Sequence, residues 1–153
     1  MKLKDKVAII TGATRGMGEE TAYTFAHEGA KLILSGRNEK RGKAVQDKIN
    51  EQGGSALFVN GDITSYKTNK KLIQTCLDNY GTLDIIVCSA GFLGLGTLTE
   101  LSPETWEKTI ATNLSSVYYL TSQGIPVIQK KGKGSIVIIG SIAGYKTFPS
   151  HPA

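Results

Sequence analysis

Apolar residues along the chain follow two alternating spacings. Five short runs, KVAII (6–10), KLILS (31–35), SALFVN (55–60), LDIIVC (83–88) and SIVIIG (135–140), are rich in β-branched residues and bounded by glycine or polar positions. This is the pattern of strands buried on both faces. Between them, apolar positions recur with helical spacing. Residues 16–28 set Met17, Thr21, Ala22, Phe25 and Ala26 on one face and stop at Gly29, a residue suited to a helix C-terminus. Residues 38–52 and 66–80 behave alike, the second with Leu72, Ile73, Cys76, Leu77 and Tyr80 along one stripe. The longest helix is expected to start at Ser102, a good N-cap, with Pro103 at its first position and Glu104 and Glu107 near the positive end of its dipole. It should run past Trp106, Ile110, Leu114 and Val117 toward Pro126. Five strands joined by helical crossovers predict the α/β class, a doubly wound parallel sheet of the Rossmann type with helices on both faces. Ligands of such sheets bind at the carboxyl ends of the strands.

With 153 residues, 40% of them hydrophobic and 20% charged, the chain is predicted to be one soluble domain with a sizeable core. Its 18 glycines fall at strand ends and helix starts, so they punctuate structure instead of forming a linker. The net charge of +5 suits an anionic ligand, a nucleic acid or a membrane surface. The lysines, however, are scattered in small groups with no aromatic residues between them, as a solvated surface reads and a nucleic-acid platform does not. The two cysteines, Cys76 and Cys88, have no metal-ligand spacing and sit in apolar segments, which predicts core thiols, no metal site and a reducing compartment. The N-terminal apolar run is broken at Thr11 and Gly12, too short for a signal segment or a membrane span. A cytoplasmic protein is expected.

Chemistry concentrates after the strands. The first strand runs into TGATRGMG, placing Gly12, Gly16 and Gly18 directly before a helix. Glycine is needed where the chain turns tightly, where backbone approaches a pyrophosphate and where helix packs on strand, and the helix N-terminus offers free amides to the phosphate charge. GDIT follows strand three, CSAG strand four, TNLSSVYYL lies in the long helix, and IVIIGSIAG spans strand five and its end. Ser141 thus stands at the carboxyl end of the fifth strand. It is not the nucleophile of a GxSxG elbow, and His151 stands alone among polar residues and prolines without the partners of a triad. His27, on the first helix, reads as a surface residue.

These five motifs, in this order over residues 5–153, resemble the N-terminal part of the short-chain dehydrogenase/reductase family of NAD(P)-dependent carbonyl and alcohol oxidoreductases. The resemblance implies a cofactor site built from Gly12, Thr14, Arg15, Gly16, Met17 and Gly18 in the glycine loop, Asp62 and Ile63 beside the adenine, and Ser89, Ala90 and Gly91 after strand four. For Asp62, capping of the next helix is an equally open reading. Where the family carries an acidic residue for the ribose of NAD, this chain has Gly36 followed by Arg37. With Arg15, this predicts NADP(H), because guanidinium groups grip a 2′-phosphate that a carboxylate repels. The resemblance makes Ser141 the residue that binds the substrate carbonyl and Asn113 a support of the proton relay. CSAG departs from the family's NNAG, replacing two bracing asparagines with Cys88 and Ser89.

The family's proton donor is the tyrosine of a YxxxK pair, and its count from Ser141 falls on the first position beyond Ala153. Tyr66 to Lys70 has the YxxxK spacing but sits on the helix after strand three, where it reads as an exposed i, i+4 contact. Tyr145 is followed four residues on by Pro149 and cannot supply the pair. The natural chain is therefore expected to continue with further strands and helices, and SIVIIG to need cover on both faces. The expected substrate is a carbonyl or secondary alcohol (a 3-oxoacyl thioester, sugar or small ketone), and the closest look is to 3-oxoacyl-carrier-protein reductases. The expected assembly is a homo-oligomer, tetramer or dimer, packing through the helix that starts at Pro103. The competing expectation is a non-catalytic NADP(H)-binding module.

Overall fold

A computed structural model describes residues 1–146; His151 and Pro149 lie outside the described residues. Strands β1 (Val7–Thr11), β2 (Lys31–Gly36), β3 (Ser55–Asn60), β4 (Ile85–Cys88) and β5 (Ser135–Ile138) form one parallel sheet in the order β3-β2-β1-β4-β5. They alternate with helices α1 (Gly16–His27), α2 (Glu39–Glu51), α3 (Tyr66–Tyr80), α4 (Pro103–Ile110) and α5 (Ser116–Lys130). Strand order reverses at β1: β2 and β3 build outward on one side, β4 and β5 on the other. Loops leaving β1 and β4 then part in opposite directions, which opens a crevice at their carboxyl ends.

The period-two geometry of a strand divides the apolar residues of β1 between two cores. Val7 and Ile9 face a cluster completed by Leu72, Ile73 and Cys76 of α3 and Leu120 and Ile128 of α5. Ala8 and Ile10 face the opposite cluster, with Ala22 of α1 and Val45 and Ile49 of α2. Both faces are covered, so the near-continuous apolar run is accounted for. β5 is different: Ile136, Val137, Ile138 and Ile139 remain 37–57% exposed.

β4 starts at Ile85, two residues later than the apolar run suggests, yet Leu83 is fully buried and the Asp84 amide bonds to the Val7 carbonyl at 2.9 Å. Asp84 is 2% exposed, and its carboxylate accepts from the Val7 amide at 3.0 Å, from Lys131 Nζ at 2.7 Å and from Lys6 Nζ at 3.4 Å. Burial pushes its pKa up, but the hydrogen bonds from Lys131 and Val7 and the lysine charges outweigh it and leave the carboxyl below the usual range. One charge therefore ties β1, β4 and the entry to β5 together at their amino ends.

Two helical expectations need correction. Helical spacing puts Met17 on the buried face of α1, but it is 66% exposed, because α1 begins only at Gly16 and its first turn rises out of the glycine loop toward the crevice. The long helix runs unbroken from Pro103 to Lys130, past Pro126, but its hydrogen bonding changes at a π-helical turn, Ala111–Ser115, which lies between α4 and α5. Packing offsets the hydrogen bond that proline removes. Gly124 lets α5 approach Ile86, Ile73 and Leu83 closely, and Ile128 beyond the proline is buried in the core.

Candidate functional site

The crevice at the switch point is built from the turns that follow β1 to β4. Gly12 holds φ +69°, and a Cβ there would lie 2.8 Å from the Ala90 backbone, so only glycine lets the β1 turn meet the β4 turn. Thr11 Oγ1 closes the same junction by accepting from the amides of Ser89 and Ala90, both at 3.2 Å. The Ala13 amide bonds to the Ser35 carbonyl at 3.0 Å, tying the glycine loop to β2. Gly16 is at φ +56°, and a Cβ there would meet nothing within 4 Å, so its backbone faces open space. Arg15 is the N-cap of α1 but makes no side-chain capping bond, which leaves the first amides of the helix without a capping acceptor.

Every residue expected at the cofactor lines one groove of about 400 Å³. Gly12, Thr14, Arg15, Gly16, Met17 and Gly18 form one wall, Asp62 and Ile63 another, and Ser89, Ala90 and Gly91 the floor under β4. Arg37 lines it from the β2 side, joined by Gly36, Ser35, Gly61 and Thr112. A Cβ at Gly36, the last residue of β2, would collide with the Thr14 side chain, so a carboxylate-bearing residue there would require Thr14 to shift. Among the described residues, neither Arg15 nor Arg37 has a carboxylate within ion-pair distance. The donor set fits an anionic ligand: bare helix amides, two free guanidinium groups, and a backbone with no side chain at Gly16.

Asp62 does not cap α3; Ser65 occupies that position, and Asp62 Oδ1 instead accepts from the Thr64 amide at 2.9 Å and its hydroxyl at 2.8 Å. Burial acts to raise the Asp62 pKa, while these bonds and the Arg37 and Lys108 charges lower it by more, so it stands as a carboxylate below its ordinary range. Cys88 is buried at the end of β4, and burial pushes its thiol up to about 11; Cys76 is pushed to about 12, by burial first and the Asp84 charge second. Both stay protonated thiols at neutral pH, without nucleophilic character.

Asn113 and Ser141 lie outside the lining of this groove. Asn113 sits in the π-helical turn, where its Oδ1 accepts from the Phe92 amide at 2.9 Å and its Nδ2 donates to the Phe92 carbonyl at 2.7 Å. The side chain thereby fixes the loop that leaves β4. Ser141 follows β5 and its Oγ accepts from the Ala143 amide at 3.1 Å, opening a single 3-10 turn (Ile142–Gly144). Tyr66 is the first residue of α3, 53% exposed and edge-on to Tyr119, and Tyr145 is 98% exposed. Sequence reasoning gave no role to Thr11 and Thr112, which open the motifs TGATRGMG and TNLSSVYYL, or to Ser35; a polar residue ending an otherwise apolar strand, as at Thr11 and Ser35, was the available signal.

A doubly wound parallel sheet with a glycine-lined groove where its strand order reverses is a Rossmann-type domain. The chain belongs to the short-chain dehydrogenase family, whose model matches residues 6–153. It is 35% identical over 149 residues to an uncharacterized oxidoreductase of Listeria innocua, covering 97% of this chain and 60% of that protein. It is 36% identical to a 3beta-hydroxysteroid dehydrogenase of Mediterraneibacter gnavus (99% and 55%) and 36% identical to a 2,5-dichloro-2,5-cyclohexadiene-1,4-diol dehydrogenase of Sphingobium indicum (94% and 57%). The chain thus spans less than two thirds of the length of these relatives. The family uses nicotinamide cofactors. Among the described residues no helix is long and apolar enough to cross a membrane.

Proposed function

We propose that residues 1–153 form the dinucleotide-binding domain of an NADP(H)-dependent oxidoreductase acting on a carbonyl or secondary alcohol. The observation that carries this reading is the groove itself: the α1 amides receive the pyrophosphate, and Arg15 and Arg37 line it together with Gly36, which carries no carboxylate. Ile63 packs the adenine, and the Asp62 carboxylate accepts from its amino group. Bound there, the nicotinamide supplies hydride chemistry. The small residues Ala90 and Gly91 let the backbone lie beside the ring, and Asn113, by gripping Phe92, keeps that loop in place. Ser141 Oγ hydrogen-bonds the substrate oxygen and stabilises charge developing on it.

The substrate is an apolar, ring-bearing alcohol or ketone. Leu93, Leu95 and Leu98 are 55–79% exposed in the loop leaving β4, and two relatives are named for hydroxylated ring compounds. Trp106, Leu114 and Tyr118, exposed along α4, the π-helical turn and α5, support a homo-oligomer. Buried free thiols support a reducing, cytoplasmic setting. Fluorescence titration tests the cofactor: NADPH binds at least about tenfold tighter than NADH if a charge-assisted contact reads the 2′-phosphate, and equal affinities sink the NADP(H) assignment. Binding of NADPH without turnover of cyclic ketones, by the full-length protein, would favour a non-catalytic cofactor-binding module instead.

A further inference from the structure

The wall of the groove between β3 and α3 is the turn from Asp62 to Ser65, and it is held from two directions. On the solvent side Asp62 Oδ1 binds the Thr64 amide and hydroxyl. On the core side Asn69 of α3, fully buried, donates from Nδ2 to the Ile63 carbonyl and to the Ser65 carbonyl, both at 2.8 Å. Among the described residues Asn69 Oδ1 has no hydrogen-bond partner. The orientation of the amide is nevertheless fixed, because exchanging N and O would set an oxygen against two carbonyl oxygens. Position 69 belongs to the buried stripe of α3, one turn before Leu72 and Ile73, where an apolar side chain would pack without leaving an acceptor bare. A bare buried acceptor is costly, so the bonds made by the other half of this amide must offset it.

We infer that Asn69 is a positioning residue for the dinucleotide. Its amide holds the Ile63 carbonyl, and with it the Ile63 side chain and the Asp62 carboxylate that line the groove, while Asn69 itself does not line it. This inference rests on the dinucleotide reading above. The probe is 2′,5′-ADP, titrated calorimetrically into the wild-type chain and three variants, with melting temperatures recorded alongside. Asn69→Leu removes the donor while keeping the number and branching of side-chain heavy atoms, and lowers affinity at least about fivefold. Asn69→Ser keeps a hydroxyl that reaches only the carbonyl four residues earlier, that of Ser65; it loses affinity comparably and carries the test if the leucine variant does not fold. Ile49→Val trims the opposite core cluster, lowers the melting temperature, and leaves affinity within about twofold.

A folded Asn69 variant that binds like the wild type overturns the inference, as does an Ile49→Val variant that loses as much affinity. Wild-type chain that fails to bind 2′,5′-ADP overturns the NADP(H) reading and this inference with it, whereas wild-type binding with unaffected Asn69 variants overturns this inference alone.

Discussion

β4 and β5 are neighbours in the sheet, four residues long, paired in parallel, and composed of IIVC and SIVI. All of β4 is buried and all of β5 is exposed. Composition does not separate them; their neighbours do. β4 lies between β1 and β5 with α5 packed on it, while β5 has β4 as its strand partner at the sheet edge. The same contrast marks the turns the strands feed. β4 leads into Ser89, Ala90 and Gly91, clamped by Thr11 and by Asn113, and β5 leads into Ser141 on an exposed turn held by one local hydrogen bond. A binding surface is firm here where two elements from distant parts of the chain lock the same turn.

The contrast between the two strands is tested most severely by trimming one isoleucine from each. Ile86→Ala, at a fully buried site, is expected to cost about 2–5 kcal/mol. Ile138→Ala, at a 57% exposed site, should cost less than about 1 kcal/mol in the same urea titration. Equal losses would mean that β5 is covered in solution.

At the amino ends of both strands, Asp84→Asn is expected to destabilise by about 2 kcal/mol, since it weakens one charge-assisted node while leaving lysines that can reach solvent. The pH dependence fixes the sign. The folded pKa of Asp84 is lowered, so its contribution is present above the ordinary carboxylate pKa of about 3.9 and is lost as pH falls through the folded value. Acid unfolding of the variant should lack that component; an unchanged acid limb would remove Asp84 as the anchor.

On the groove side, Gly16→Ala places a side chain at φ +56° with space around it, so stability should fall by only about 1 kcal/mol. Its affinity for NADPH should fall at least about tenfold, because the added methyl stands where a phosphate approaches the helix amides. Undiminished affinity would move the phosphate away from the α1 terminus. Ser141→Ala is the smallest effect: stability within about 0.5 kcal/mol and NADPH affinity unchanged. A loss of NADPH affinity there would mean that the β5 turn is part of the cofactor wall.

Much of the candidate site was legible as sequence because its glycines answer local demands. Gly12 follows an apolar strand and precedes a helix, and both its positive φ and its contact with Ala90 require that residue type. Arg37 was legible as positive charge next to the position where the family carries an acidic residue, and Arg15 as positive charge in the glycine loop. Asn69 carried no signal in the sequence analysis, and its two carbonyl partners belong to a turn whose path only the folded chain reveals. Met17 misled for a related reason: helical periodicity counts positions, and a first turn that emerges from a loop does not yet rest on the core. The π-helical turn within the long helix was invisible, because nothing in ATNLS marks it apart from the tertiary grip of Asn113 on Phe92.

Alternating apolar periods, the glycine loop and its charges depend on residues close together in the chain, and so the parallel α/β class and the placing of the glycine loop at a strand end were already written in the order of amino acids, while Asp62, Ile63 and the Ser89–Gly91 turn were expected through the family resemblance. The strand order β3-β2-β1-β4-β5, the burial of β4 against the exposure of β5, and the clamps at Thr11, Asp84 and Asn69 arose only on folding. Each of these depends on which distant segments come to lie side by side, and a hydrogen bond or a covered face exists only once both partners have been brought together.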